Sequence, residues 1–335
     1  MVDQVIQMDR RAFMGTAGGS LLIAPLAALA QETAKVSRIG YLRRTSREPA
    51  DIAAFRLGLR ELGYVEGQNL VIDERYADGD ATRLPDLARE LVQLKVHILV
   101  VDGQTTVRAA RNVAGATPIV MVIGGDAVAA GLVDSLDRPG GTITGLTVFG
   151  GELVPKRLQF LHEIVPATRV GFLFNGTNDP TSPSRLARRE RLTGAARSLG
   201  IELIPVEATS QGELPGAFAK LSQAGVGAVL VDGDAMFFSQ RASVVDLAAM
   251  HKLPAVYAER EFADAGGLMA YAPNGSASFH RAATYVDKIL KGAKPGDLAI
   301  EQATRIELVI NLKTAKALGL TIPQSLLLRA DEVLQ

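Results

Sequence analysis

The chain has 335 residues, of which 47% are hydrophobic and 21% are charged, and its 36 lysines and arginines balance 36 acidic residues. This length suits two packed domains of about 100 to 200 residues each. A chain with no net charge lacks the basic surface of a dedicated nucleic-acid-binding protein, so we expect no nucleic-acid partner. Because the chain has no cysteine, disulfides, thiolate nucleophiles, cysteine-ligated zinc and iron–sulfur clusters are excluded.

The first thirty residues predict an export signal. Arg10 and Arg11 precede an uncharged run over residues 12–31, which contains the small-residue sequence Ala28-Leu29-Ala30 near its end. This order is typical of a cleavable signal peptide, and the adjacent arginines resemble the twin-arginine class. A membrane anchor is the alternative, but the strongly apolar part is shorter than the roughly 20 residues that span a bilayer. We therefore predict that residues 1–30 are a signal peptide and that the mature chain is periplasmic.

From residue 36 onward, a short apolar run, a loop and an amphipathic helix repeat along the chain. The predicted strands cover residues 36–42, 69–75, 97–101, 118–123, 169–174, 201–206 and 228–231. The predicted helices cover residues 52–62, 84–94, 105–114, 127–136, 184–199, 214–224 and 239–250, with Gly63 ending the first and Thr82 capping the second. Such alternation favours parallel sheets covered on both faces by right-handed crossovers.

Three segments are predicted to pass between two such sheets. Residues 144–149 form a first crossing and residues 267–271 a second, after which a helix over 279–290 returns to the first lobe. A third crossing takes residues 305–318 back to the second lobe. The predicted fold class is α/β, with two doubly wound Rossmann-like lobes joined by three crossovers that form a hinge. The first lobe is expected to comprise residues 36–145 and 275–300, and the second residues 150–270 and 305–335.

Motifs for catalysis or cofactor binding are missing from the sequence. None of the patterns G-x-x-x-x-G-K-[ST], H-E-x-x-H and G-x-S-x-G occurs, and the four histidines are far apart. The acids Asp126, Asp232 and Asp234 follow predicted strands, where a carboxylate can act as a general base, bind an amine or cap a helix. Because no histidine, cysteine or metal partner accompanies them, we predict neither an enzyme nor a cofactor.

Polar residues at the carboxyl ends of the predicted strands form the candidate binding site, since open α/β sheets bind ligands there. The candidates in the first lobe are Arg43, Thr45, Gln104, Thr105, Thr106 and Asp126. Those in the second lobe are Asn175, Asp232, Tyr257, Glu259 and Tyr271.

Each candidate type suits one part of a ligand. Thr105 and Thr106 open a helix whose unpaired N–H groups and hydroxyls can hold a carboxylate, with Arg43 as a possible second partner; simple capping is the alternative. Asp126 or Asp232 can bind an amine or a hydroxyl. Tyr257 or Tyr271 can stack on a flat ligand, although core packing also explains a tyrosine.

Several longer stretches resemble one protein family. They are FRLGLRELGYVEGQNL (55–70), GLV (131–133), RPGG (138–141), TGLT (144–147), EREF (259–262), AGGLMAY (265–271), KILKGAKP (288–295), INLKTA (310–315) and LRADE (328–332). These are similar to stretches of the ABC transporter substrate-binding protein family that includes tryptophan- and tyrosine-binding members. Thr142, Ala127 and Ala303 depart from that pattern. The resemblance implies a type I periplasmic binding fold, hinge closure on a small molecule and delivery to a membrane permease.

Pattern and resemblance together predict a periplasmic solute-binding protein of an ABC importer. Its ligand is expected to be a small molecule with a carboxylate, an amino acid or an aromatic compound, and its protein partner an inner-membrane permease. A monomer is favoured because the lobes must move freely. Two alternatives remain from the sequence, namely a ligand-sensing partner of a receptor and an enzyme on the same fold.

Overall fold

The computed structural model describes residues 36–123, 125–148, 150–176, 183–302 and 305–335. The predicted signal peptide lies outside these residues. Within them, thirteen strands form a six-stranded and a seven-stranded sheet. No helix among them is long and apolar enough to cross a membrane.

The elements alternate along the chain as the apolar pattern predicts. The strands are β1 (Ser37–Arg43), β2 (Leu70–Tyr76), β3 (Ile98–Asp102), β4 (Ile119–Val122), β5 (Ile143–Thr147), β6 (Arg169–Phe174), β7 (Glu202–Glu207), β8 (Ala228–Val231), β9 (Ala255–Tyr257), β10 (Met269–Pro273), β11 (Glu301–Gln302), β12 (Ile306–Asn311) and β13 (Glu332–Leu334). The helices are α1 (Pro49–Glu61), α2 (Leu84–Gln93), α3 (Gly103–Ala114), α4 (Gly150–Ile164), α5 (Pro183–Ser198), α6 (Leu214–Gln223), α7 (Ala235–Ser239), α8 (Arg241–Met250), α9 (Glu261–Asp264), α10 (Gly275–Leu290), α11 (Leu312–Ala317) and α12 (Gln324–Leu327).

Lobe 1 is built on the six-stranded parallel sheet, in the order β2-β1-β3-β4-β5-β11. Helices α1 and α10 cover one face, where Phe55 and Phe279 join Ile98 of β3 in one apolar cluster. Helices α2 and α3 cover the other face, against the neighbouring Leu99. Because successive residues of β3 point to opposite covered faces, both must be apolar, which explains the uninterrupted apolar run in the sequence.

Lobe 2 is built on the seven-stranded sheet, in the order β13-β12-β10-β9-β8-β6-β7. The pairing of β10 with β12 is antiparallel, and the other strand pairs are parallel. Residues of α4, α5, α11 and α12 share one apolar cluster, and residues of α6, α7, α8 and α9 share the cluster on the other face. A doubly wound sheet of this kind again buries its strands on both faces.

The chain passes between the sheets three times. It leaves the first sheet after β5 to enter α4, and it returns after β10 to enter α10, which packs on α1. It leaves the first sheet again after β11 to enter β12. The return to lobe 1 depends on Gly58 of α1, since a Cβ at that position would lie 2.6 Å from the backbone oxygen of His280. The two helices therefore approach more closely than any larger residue permits.

The structure corrects three predicted elements. Residues 127–136 form turns and not a helix, because the Asp126 carboxylate accepts a hydrogen bond from the Ala129 N–H and Gly131 adopts a left-handed φ of 65°. The helix predicted over 239–250 is α8, which begins two residues later at Arg241, because a separate short helix, α7, ends at Ser239. Thr82 caps nothing, since the Asp80 side chain accepts the N–H of Thr82 in a short 3-10 turn before α2. In two of the three cases a local aspartate competes for backbone N–H groups.

Candidate ligand-binding cleft

The carboxyl edges of the two sheets face each other across a cleft. In each sheet the strand order reverses once, between β1 and β3 in lobe 1 and between β6 and β8 in lobe 2, and α/β proteins bind ligands at such points. Two ion pairs join the edges: Arg44 to Asp234 and Arg241 to Glu48, each with an N–O distance of 3.4 Å. These pairs bring the two carboxyl edges into contact.

Arg43 has a structural role at the carboxyl end of β1. Its Nε donates to Asp102 at 2.9 Å and its Nη1 to Asp51 at 2.8 Å, while the guanidinium lies over the ring of Phe279. Burial opposes the charge, but Asp102 and the other acidic groups around it raise the Arg43 pKa above its ordinary value. Asp51 also accepts from the Ser276 hydroxyl at the start of α10. The predicted contact of Arg43 with a ligand anion is therefore replaced by a buried network that joins β1, β3, α1 and α10.

Two threonines of lobe 1 present unsatisfied hydroxyls. Thr45 follows β1 and is 8% exposed, whereas Thr106 lies in the first turn of α3 and is 1% exposed. Neither Oγ1 atom has a hydrogen-bond partner among the described residues. Thr105, by contrast, is exposed to solvent. Of the two threonines predicted to hold a carboxylate, Thr106 is thus the one with an unmet hydrogen bond.

Gln104 and Asp126 hold each other in place at the same edge. The Gln104 Nε2 donates to the Asp126 backbone oxygen at 3.0 Å, and the Asp126 carboxylate accepts from the Ala129 N–H at 2.9 Å. Both side chains are only partly buried. Asp126 retains a second carboxylate oxygen, so it remains a candidate for an amine or hydroxyl of the ligand.

Two acids and an amide lie together at the edge of lobe 2. Asn175 donates to Asp234 at 2.8 Å, and the same oxygen of Asp234 accepts from the Met236 N–H at the start of α7. Asp232 is 4% exposed; its Oδ2 pairs with Arg188, and its Oδ1 has no partner among the described residues. Asp232 is therefore a buried carboxylate with half of its acceptor capacity unused.

A buried arginine supports this edge from beneath. Arg157 of α4 is 5% exposed; its Nε donates to the Tyr271 backbone oxygen at 2.7 Å and its Nη2 to that of Ala258 at 3.4 Å. Burial lowers its pKa to about 10. The sequence analysis missed this residue, although it falls on the apolar face of α4, three residues after Val154 and four before Leu161, where a cation is unexpected.

Glu259 lies near this arginine and is the most perturbed acid of the cleft. Its Oε2 is buried and has no hydrogen-bond partner among the described residues. Burial raises its pKa to about 8, although the charge of Arg157 opposes the shift. Around neutral pH this carboxyl group therefore holds a proton in the ligand-free protein, and a positively charged partner placed beside it would favour its ionised form.

The two candidate tyrosines lie in different surroundings. Tyr257 is 1% exposed and stacks on Phe262 in the core of lobe 2, with ring centroids 4.6 Å apart, so it does not line the cleft. Tyr271 is partly exposed and packs edge-on against Phe160. The core-packing alternative thus holds for Tyr257, because β9 directs its side chain into the cluster beneath α8 and α9.

The buried polar atoms without partners concentrate at the cleft. Nine buried side-chain atoms of the described residues lack a hydrogen-bond partner, and six of them belong to residues at the two facing edges. These six are on Arg44, Thr45, Thr106, Asp232, Ser239 and Glu259. No group of three or more histidines or acids among the described residues is arranged to hold a metal ion. The unmet bonds are those that a polar organic ligand can make.

Comparisons with known proteins find a matching family model and several similar proteins. A family model described as "ABC transporter substrate binding protein" matches residues 49–334. A curated relative, the tyrosine-binding protein of Clostridioides difficile, is 25% identical over 292 residues, which cover 86% of this chain and 83% of the relative. A conserved domain protein from Vibrio cholerae has a TM-score of 0.80 and 26% identity, with 89% of this chain and 100% of that chain covered.

A second solved structure has the same TM-score of 0.80. It is the ABC domain from Streptococcus pneumonia in complex with L-Trp, which is 23% identical to this chain; the comparison covers 90% of this chain and 100% of that one. At this identity the likeness concerns the fold. It places the described residues in the same two-lobed α/β architecture.

Proposed function

The chain belongs to the ABC transporter substrate binding protein family, and on that premise we propose that it captures a small carboxylate-bearing ligand between its lobes and delivers it to a permease. The family and the relatives named above are solute-binding proteins and not enzymes. We infer that the ligand is an amino acid or an aromatic compound. The observation that carries the proposal is the set of unpartnered buried polar atoms at the two facing edges.

The free energy of these unmet hydrogen bonds favours a ligand that closes the cleft. A buried donor or acceptor without a partner costs about 1–3 kcal/mol. A ligand that supplies partners to both edges removes this cost only when the lobes are closed, so it stabilises the closed state over the open one. The crossovers between the sheets are the segments about which such closure can occur.

The chemistry of the two edges supports a ligand with opposite charges at its two ends. On lobe 1, the hydroxyls of Thr45 and Thr106 and the Nε of Arg44 can donate to a carboxylate. On lobe 2, Asp232 and Glu259 offer acceptors to an ammonium group. Tyrosine and L-Trp, for which two of the relatives are named, are amino acids of this kind, and the partly exposed Tyr271 can pack against an apolar side chain.

Capture and delivery of a ligand also require a location and a protein partner. We propose that residues 1–30 direct export to the periplasm, and that the mature monomer docks on an inner-membrane permease. Residues 36–145 with 275–300 would then move as one lobe, and residues 150–270 with 305–335 as the other. Substrate-binding proteins of ABC transporters typically work outside the cytoplasmic membrane, which agrees with this location.

A thermal-shift screen of residues 31–335 tests the proposal. The panel contains amino acids, aromatic carboxylates, sugars and nucleosides, since a ligand at 100 times its Kd adds about 2.7 kcal/mol to the free energy of unfolding. We expect a shift with an amino acid or an aromatic carboxylate. For that ligand, T106V and D232N should each weaken affinity about tenfold, which is about 1.4 kcal/mol. Unchanged affinity in both variants would contradict the assignment of the binding site to the cleft. A shift only with sugars or nucleosides would contradict the proposed class of ligand.

A further inference from the structure

Lobe 2 contains a cavity that the cleft does not require. It has a volume of about 590 Å³ and lies between α5 and the sheet strands β6 and β7. Its described lining residues all belong to lobe 2. The apolar ones include Phe172, Phe174, Leu192, Ile201, Leu203 and Pro205. A volume of this size falls within the range of about 300–1,000 Å³ that is typical of small-molecule sites.

The apolar wall of the cavity is built from two neighbouring aromatic rings. Phe172 and Phe174 point to the same face of β6, and their ring centroids are 5.6 Å apart with an interplanar angle of 20°. Both rings remain partly exposed, although the rest of this face is covered by α4 and α5. Partly covered aromatic rings above a sheet offer a surface on which an apolar body gains free energy by burial.

The opposite wall is strongly basic. Helix α5 contributes four arginines to the lining, Arg185, Arg188, Arg189 and Arg197, whereas the only acid among the described lining residues is Asp232. Asp232 pairs with Arg188. Arg189 and Arg197 are exposed and form no ion pair with any described residue. The cavity thus has an excess of positive charge beside an apolar floor.

We propose that this cavity is a second binding site, which takes an apolar monocarboxylate. The apolar body of such a molecule lies on Phe172 and Phe174, and its carboxylate pairs with guanidinium groups of α5. An arginine-rich wall suits a planar carboxylate, which can accept two parallel hydrogen bonds from one guanidinium. The site needs no ammonium group on its ligand and no residue of lobe 1, which distinguishes it from the cleft.

The test uses isothermal titration of residues 31–335 with 4-phenylbutyrate, and with 4-phenylbutylamine as its cationic counterpart. The carboxylate should bind and the amine should not. The double variant R189Q/R197Q should weaken binding of the carboxylate at least tenfold. R191Q is the matched control, because Arg191 is an exposed arginine of the same helix that does not line the cavity. These exposed positions tolerate substitution, so loss of folding does not obscure the result.

Two further variants separate this site from the cleft. T193W places a bulky ring at an exposed lining position and should abolish binding of 4-phenylbutyrate. R44Q and T106V alter the cleft and should leave that affinity within twofold. No binding, equal binding of the amine, or a loss confined to the cleft variants would each overturn the second site. The last outcome would place 4-phenylbutyrate in the cleft, which the proposed function allows, and the first two leave capture of an amino acid in the cleft untouched.

Discussion

Arg44 of lobe 1 and Asp234 of lobe 2 form an ion pair across the cleft, with 3.4 Å between Nη1 and Oδ2. The side chains are 13% and 3% exposed, so solvent screens the pair less than it screens a surface pair. Asp234 also caps α7 and accepts from Asn175. The pair therefore connects closure of the lobes to the fixed geometry of the lobe 2 edge.

We expect R44Q to weaken ligand binding about tenfold, or about 1.4 kcal/mol, because the closed state loses both its ion pair and the donor that Arg44 is proposed to offer the ligand, while the open state loses neither. Calorimetry with the ligand from the thermal-shift screen measures this change, and small-angle scattering should show a larger average radius for the ligand-free variant. R83Q is the control, since Arg83 pairs with Asp78 on the exposed surface of lobe 1. Equal affinities in R44Q and in the unchanged protein would mean that the pair does not contribute to closure.

Arg43, the neighbour of Arg44, should affect folding and not ligand binding. R43M leaves Asp51 and Asp102 buried without their cation, and such a loss costs about 3–5 kcal/mol of unfolding free energy. Urea unfolding measures it. R75Q is the comparison, because Arg75 and Glu90 form an exposed pair for which a loss of about 0–1 kcal/mol is expected. If R43M kept its stability but lost ligand affinity, the structural role assigned to Arg43 would be wrong.

The contrast between these adjacent arginines shows what the sequence could predict. Buried strands are contiguous apolar runs, so the predicted strands over 169–174 and 228–231 coincide with β6 and β8. The polar residues that follow the strands were also identifiable from their position. The sequence could not show which of these polar residues face a ligand. The partners of Arg43 and Arg44 lie up to 190 residues away in the chain, so no local pattern reveals them.

The errors in the sequence analysis have local causes. An apolar stripe over 127–136 is compatible with a helix, but the Asp126 carboxylate and Gly131 favour turns. The spacing of apolar residues does not reveal such turns. Tyr257 is the last residue of β9, at the carboxyl edge as predicted, but its side chain lies on the core face. The alternation of side chains along a strand decides which face a residue occupies. A three-residue strand such as β9 is too short for this alternation to be recognised from sequence.

Two buried threonines should respond differently to loss of their hydroxyls. T144V removes a hydroxyl that donates to the Leu298 backbone oxygen at 2.7 Å, so we expect a loss of about 1–3 kcal/mol in unfolding free energy. T106V removes a hydroxyl without a partner, so its stability should be unchanged or higher. Urea unfolding of both variants without ligand checks this. A large loss in T106V would indicate that its hydroxyl is already satisfied and has no part in ligand binding.

Glu259 should make stability depend on pH with a sign opposite to that of most carboxylates. Its pKa is about 8 in the folded protein against an ordinary value of 4.5. Between these values the folded chain holds a proton that the unfolded chain has released, so the contribution of Glu259 to the unfolding free energy falls as pH rises. Below pH 4.5 both states are protonated, and this contribution no longer changes.

E259Q removes this titration. Relative to the unchanged protein, the variant should gain unfolding free energy as pH rises from 5 to 8, at no more than about 1.4 kcal/mol per pH unit. Because Glu261, whose pKa burial raises to about 7, is present in both proteins, its contribution largely cancels in the difference. E213Q is the control that should show no such change, since hydrogen bonds from Thr209 lower the pKa of Glu213 below its ordinary value of 4.5, and the group stays ionised in both states over this range. Urea midpoints at pH 5, 6.5 and 8 measure both series, and a pH-independent difference for E259Q would show that Glu259 is ionised in the folded protein.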